Sequence, residues 1–190
     1  MLNYIEGSYA ILSIISTILS VIAVTLSTWI LYKQYKLKHD PVIQISAWPS
    51  PERTYFTIMQ NLLLNAVSLG YDVVLTNPSS EVPIVIVDIK EKFILNTCSY
   101  EAIMYFSSPI PLRGQDVPEI RSLPYVLPPT SFAHLRRDLH PTQLGEIKEY
   151  YRRYKTPIKL MLEIYYQVSG KVKVKRQYVP VSVGLKISEQ

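Results

Sequence analysis

From Gly7 to Tyr32 the chain reads GSYAILSIISTILSVIAVTLSTWILY, without a single charged residue. No other feature constrains the fold as much. As a helix rising about 1.5 Å per residue, this run crosses a hydrocarbon core of about 30 Å with a little tilt. Tyr9 stands near one end and Trp29, Tyr32 and Tyr35 at the other, where amphipathic rings favour the membrane interface. A cleaved signal peptide fits poorly. The leading MLNYIEG has no lysine or arginine and contains Glu6, the apolar run is too long, and no A-x-A site follows it.

The flanks give the expected orientation. One side carries only the amine and Glu6; the other reads YKQYKLKHD, with Lys33, Lys36 and Lys38 close to the membrane end. The positive-inside bias then places the N-terminus outside and the remainder in the cytoplasm, as a single-pass protein of the cell membrane. Within the run, Ser13, Ser16, Ser20, Ala23 and Ser27 recur at steps of three and four. A period near 3.5 residues matches a left-handed helix pair, in which small side chains let backbones approach. Thr17, Thr25 and Thr28 lie off this seam, and serine can also bond its own helix at i−4. The seam predicts a second transmembrane helix, from a protein partner or another copy; the alternative is a hydroxyl-rich anchor with no partner.

The first forty residues therefore form an anchor with its basic flank, and residues 41–190 have the size of one ordinary domain. Aliphatic and tyrosine residues abound and glycine is scarce, which excludes a disordered tail. The lone Cys98 excludes an intramolecular disulfide framework and, following KFILN, is expected to be a buried structural thiol. No N-x-S/T site occurs, because Asn77 precedes Pro78.

PVIQISAW alternates and predicts a first strand. SPERTYFTIMQNLLLNAVSLG is ambiguous. Ser50, Pro51 and Glu52 resemble the start of a helix over Pro51–Leu69 with Gly70 as its cap; a hairpin and a strand at TYFTIMQ is the rival. Two β-branched runs, at about 71–76 and 83–95, flank the turn formers NPSSEVP. YEAIMYF predicts a further strand. Prolines 109, 111, 118, 124, 128 and 129 then argue against regular ladder pairing through 107–130, a length that favours a partner-binding loop or a crossover between sheets. SFAHLRRDL predicts a strand. PTQLGEIKEYYRRYK predicts a short amphipathic helix with Leu144, Ile147, Tyr151 and Tyr154 on one stripe and an ion pair between Glu149 and Arg153. The chain closes with a long hairpin about Ser169-Gly170 and a final strand.

This order predicts an N-terminal transmembrane helix followed by a mainly β domain, an antiparallel β-sandwich with one or two short helices. The basic flank running into PVIQIS, then VVLTNPSSEVPIVI, LPPTSFAHLRRDL and the hairpin YYQVSGKVKVKRQYVPV, together resemble a broad class of prokaryotic single-span proteins with an immunoglobulin-like β-sandwich. The resemblance implies an anchored accessory protein and implies no catalytic residues.

Motifs for chemistry are lacking. His39, His134 and His140 have no zinc-ligand spacing, and neither a G-x-S-x-G, a P-loop nor a G-x-G-x-x-G occurs. Asp138 beside Arg136, Arg137 and His140 reads as a solvated strand end. No catalytic residue, metal or cofactor is predicted. The basic residues say more. Lys171, Lys173 and Lys175 alternate with Val172 and Val174, which predicts ammoniums on one face and valines on the core. Arg152 and Arg153 form a second group among tyrosines. Lysines on a strand guard an edge against aggregation, and near anionic headgroups each contributes about 1 kcal/mol. Nucleic acid is the less favoured ligand. The sequence therefore predicts a non-enzymatic membrane accessory or scaffold subunit, with a tethered binder of anionic lipid or nucleic acid as the alternative.

The predicted orientation has a direct test. Protease added to intact cells or spheroplasts should leave the domain uncut until the membrane is permeabilised; earlier digestion reverses the assignment.

Overall fold

A computed structural model describes residues 2–48, 66–95, 98–107, 118–154 and 158–185. The uncharged run lies inside one uninterrupted helix, α1 (Leu2–His39). From Leu12 onward it is long and apolar enough to cross a bilayer, and the rest of the chain covers none of its most apolar stretch. The helix stops where it must. Pro41 has no N–H and disfavours helical geometry at Asp40, so the last helical bond runs from the Asp40 amide to the Lys36 carbonyl at 2.8 Å.

The chain then builds two antiparallel sheets. The first contains β1 (Gln44–Ala47), β2 (Ala66–Thr76), β7 (Phe132–Leu139) and β5 (Met104–Phe106) in that order, with β10 (Ser182–Leu185) also pairing β2. The second contains β4 (Cys98–Ala102), β3 (Ile84–Leu95), β8 (Ile158–Val168) and β9 (Lys171–Val179), with β6 (Tyr125–Leu127) also pairing β3. A second helix, α2 (Pro141–Tyr154), follows β7. Alternation sets the faces. In β8, Leu160, Leu162, Ile164 and Tyr166 are buried; in β2, Leu69, Tyr71, Val73 and Leu75 are buried; all belong to one core. The β8–β9 hairpin turns through Ser169 and Gly170, both at positive φ (48° and 77°), the two-residue geometry that suits twisted strands.

Several expectations change. The helix read over Pro51–Leu69 does not reach its predicted end: Ala66–Leu69 is already strand, and 51–65 lie outside the described residues. Gly70 is not a helix cap. It sits in mid-strand opposite Asp138, where a Cβ would press on the Asp138 carboxylate and lie 2.5 Å from the Arg137 carbonyl; glycine is there for close approach. YEAIMYF is not one strand. It breaks at Ile103, whose amide donates to Gln143 Oε1 (2.6 Å) and whose carbonyl accepts from the His140 amide (2.8 Å), so that β4 and β5 fall in different sheets. The proline-rich stretch does enter the ladders, through β6 and a bridge from Glu119 to His134; 108–117 lie outside the described residues. On α2, Leu144, Ile147 and Tyr151 are buried as expected. Tyr154, the last residue of the helix, is exposed and packs against Tyr150 at 4.6 Å. Glu149 pairs with Arg152, at i+3, and not with Arg153.

The Arg137 environment also departs from a solvated strand end. Arg137 is buried between the sheets, its Nε 2.9 Å from Glu91 Oε1, and the Tyr71 hydroxyl donates to the same oxygen at 2.8 Å. Tyr71 and Arg137 belong to one sheet and Glu91 to the other, so the cluster ties the two together. Burial pushes the Glu91 carboxyl above its ordinary range even against the Arg137 charge. Asp138, on the outer face, accepts from the Ser107 hydroxyl at 2.5 Å.

Replacing Arg137 with Met strands a buried carboxylate and should lower stability by about 3–5 kcal/mol. Adding Glu91→Leu should restore most of that loss, because both charges are then gone. Chemical denaturation of the full chain in detergent reads both; a double variant no better than the single one refutes the account.

Candidate functional site at the helix–domain junction

The end of α1 has carbonyls with no helical partner, as every helix does. Here the β-domain supplies donors. The turn NPSS, between β2 and β3, is not a hairpin loop but a crossing from one sheet to the other. Asn77 organises it: its side-chain amide donates to the carbonyls of Val82 (2.9 Å), Leu127 (3.1 Å) and Pro128 (3.0 Å), while its oxygen accepts from the Ser79 amide (3.0 Å). The turn formers legible in the sequence thus become a rigid platform. From it the Ser79 hydroxyl donates to the Lys38 carbonyl at 2.6 Å, and Glu81 pairs with Lys38, with His39 Nδ1 at 3.8 Å. The Lys38 ammonium holds the Glu81 carboxyl below its ordinary value.

From the other side comes Lys173. Its Nζ lies 2.5 Å from Asp40 Oδ1 and 3.3 Å from the carbonyls of both Asp40 and Pro41. A cation at a helix C-terminus also complements the helix dipole. The Lys173 hydrogen bond is the chief cause that the Asp40 carboxyl is held low. Tyr166 pairs with Lys173 in the ladder.

The lysine strand keeps its predicted alternation but turns the opposite way. Lys171, Lys173 and Lys175 lie across from Val168, Tyr166 and Ile164, which face the core, while Val172 and Val174 are exposed. Val179 is buried in the core, and counting back by twos puts the three lysines on its face. They stand at the rim, where β9 ends its sheet, and Lys173 and Lys175 are half-buried. Inward-pointing charges are one way to protect an edge strand.

The structure brings Lys33, Lys36 and Lys38 of the flank to the same end of the domain as Lys171, Lys173 and Lys175. Arg152 and Arg153 are not part of this group. They end α2 before β8 begins, and Lys171 follows β8's other end, about 35 Å away at about 3.3 Å per residue. In the apolar run, Ser13, Ser16, Ser20, Ala23 and Ser27 are exposed. Ser20 and Ser27 donate to the carbonyls of Ser16 and Ala23, and Thr17, Thr25 and Thr28 likewise bond one turn back. Those hydroxyls are satisfied within their own helix, so at Ser20 and Ser27 the seam offers small size more than free donors.

Cys98 is exposed, contrary to the expectation of a buried thiol, because β4 forms an outer strand with most of its residues uncovered. His134 is buried and meets Asp72 across the ladder, with Trp48 edge-on at 5.3 Å. His140 Nδ1 lies 2.8 Å from the Thr142 hydroxyl. Among the described residues no three His, Cys, Asp or Glu side chains gather as metal ligands. Asp40, Asn77, Ser79 and Glu81 were missed as junction residues. The signal present in the sequence was an Asn-Pro-Ser-Ser turn, which by itself says nothing of what it will touch. No family model, curated protein or solved structure matches this chain.

Because Asp40 and Glu81 have carboxyl pKa values below their ordinary 3.8 and 4.5, their contribution to docking is complete above the ordinary carboxylate range. It is lost as pH falls through the lowered folded values. Lys173→Met should mimic the Asp40 part of that loss at neutral pH. We expect amide exchange at Asp40, Val42 and Ile43 to rise a few-fold with little change in the melting temperature; unchanged exchange removes Lys173 from the joint.

Proposed function

We propose that this chain is a non-enzymatic single-pass membrane protein that serves as an accessory or scaffold subunit. α1 spans the cell membrane with its N-terminus outside, and the β-domain, an immunoglobulin-like sandwich, lies in the cytoplasm. The span packs against other transmembrane helices, of a protein partner or a second copy, along Ser13, Ser16, Ser20, Ala23 and Ser27. The β-domain docks a partner.

The observation that carries this reading is the built joint. A domain that only needed tethering could hang from a flexible linker. Here Ser79, Glu81 and Lys173 clasp the last turn of α1 from two sides. A stiff joint holds whatever the domain binds at a fixed height and angle to the span, which suits a scaffold. The uncovered apolar surface of α1 leaves its side chains to lipid or to another helix. Nucleic acid has less to hold, since Lys173 is engaged at the joint and Arg152 and Arg153 lie at the far end.

Replacing both Ser16 and Ser20 with leucine should weaken co-purification of a partner or break up an oligomer in gentle detergent, each bulky side chain blocking close backbone approach. A complex of unchanged size removes the seam from the proposal. Identification of what accompanies the wild-type chain in the same pull-down names the partner.

A further inference from the structure

Under the last turns of α1 lies a groove of about 620 Å³, within the about 300–1,000 Å³ typical of small-molecule sites. It follows the open seam between β1, outermost in one sheet, and β9, outermost in the other. Gln177 bridges the seam, donating to the Ile45 carbonyl at 3.1 Å. Lys33, Lys36 and Leu37, at i, i+3 and i+4, form the helical wall. Val42 and Ile45 contribute apolar floor and Lys175 stands on the β9 side. Leu37 and Val42 are each 47% exposed.

The charges here are unevenly spent. Asp40 also lines the groove, but Lys173 already takes it up. Lys33 sits over the Trp29 ring, 3.9 Å from its centroid, which leaves its charge uncompensated by any anion. Among the described residues neither Lys36 nor Lys175 makes an ion pair. Three ammoniums therefore rim an apolar surface exposed mainly at Leu37 and Val42, with Ile45 8% exposed beneath it. Lys33 directly follows Tyr32, the last residue of the uncharged run, so the groove opens at headgroup depth when α1 spans the bilayer.

We propose that this groove holds one anionic phospholipid of the adjoining leaflet. Its phosphate sits between Lys33 and Lys36 on one side and Lys175 on the other, and its glycerol and first acyl carbons lie on Leu37, Val42 and Ile45. An amphiphile matches this surface because the charged rim and the apolar floor are contiguous; a free phosphate would leave the floor bare. The bound lipid would brace the joint from its open side. The proposal rests on reading α1 as a membrane span.

The test is native mass spectrometry of the full chain, released from detergent after incubation with phosphatidylglycerol or with phosphatidylcholine. We expect one phosphatidylglycerol retained per chain and little phosphatidylcholine. The double variant Lys36→Gln/Lys175→Gln should weaken phosphatidylglycerol retention about tenfold or more. The charge-matched control Arg152→Gln/Arg153→Gln should retain it as wild type. Equal retention of both lipids, equal loss in the control, or displacement of the lipid by millimolar inorganic phosphate each overturns the proposal. Carbonate extraction separates the two levels. A chain that washes off membranes defeats the span itself, whereas an integral chain that retains no anionic lipid defeats only the groove.

Discussion

A helix that ends must leave carbonyls without donors, and in this protein the β-domain answers that need. Ser79 caps Lys38 and Lys173 caps Asp40 and Pro41. Pro41 fixes where the need arises, because it ends the helix within two residues of its last basic side chain. The position of α1 on the domain, the placing of the lysines and the groove between the two edge strands all depend on this joint. Without it the first forty residues would be a tether, with no particular relation to the strands that follow.

The donors themselves must be held. Asn77 does this on one side by binding three carbonyls from two segments of chain at once, with its side chain fully buried. On the other side the β8–β9 ladder sets the height of Lys173 by pairing it with Tyr166. The two sheets are kept in register with each other by the Tyr71–Glu91–Arg137 cluster, where one carboxylate of the second sheet meets two donors of the first. A second carboxylate, Glu163, lies on the outer face between Lys92 and Arg176 at 3.0 and 2.7 Å. Burial alone would raise its pKa, but those two hydrogen bonds outweigh it and hold the carboxyl low. The inner cluster spans two sheets, whereas the outer one laces neighbouring strands of a single sheet.

Local pattern was a good guide wherever the cause was local. The β-branched alternation of residues 84–95 and 158–168, the Ser169-Gly170 turn, the apolar stripe of α2 and the break at Pro41 all follow from period or backbone sterics. It was a poor guide where two distant segments meet. Gly70 reads as a cap until Asp138 is placed opposite it. Ile103 looks like the middle of a strand until Gln143 and His140 claim its backbone. Arg137 reads as solvated because nothing in RRDL reveals Glu91. The lysine strand is the sharpest case: its alternation was legible, but alternation does not say which face is inward, and only Val179 and the β8 ladder decide it.

The amino-acid sequence by itself determined a long apolar helix with a basic flank and a strand-rich domain, because both rest on residue-by-residue hydropathy and period. Tertiary structure decided how they join. Which donors reach the last carbonyls of α1, which way Lys171, Lys173 and Lys175 point, and whether Lys33, Lys36 and Lys175 share one groove depend on contacts between residues up to 133 positions apart. Such contacts carry no local signature, since hydrogen bonding and charge pairing act through space and the chain's path brings the partners together.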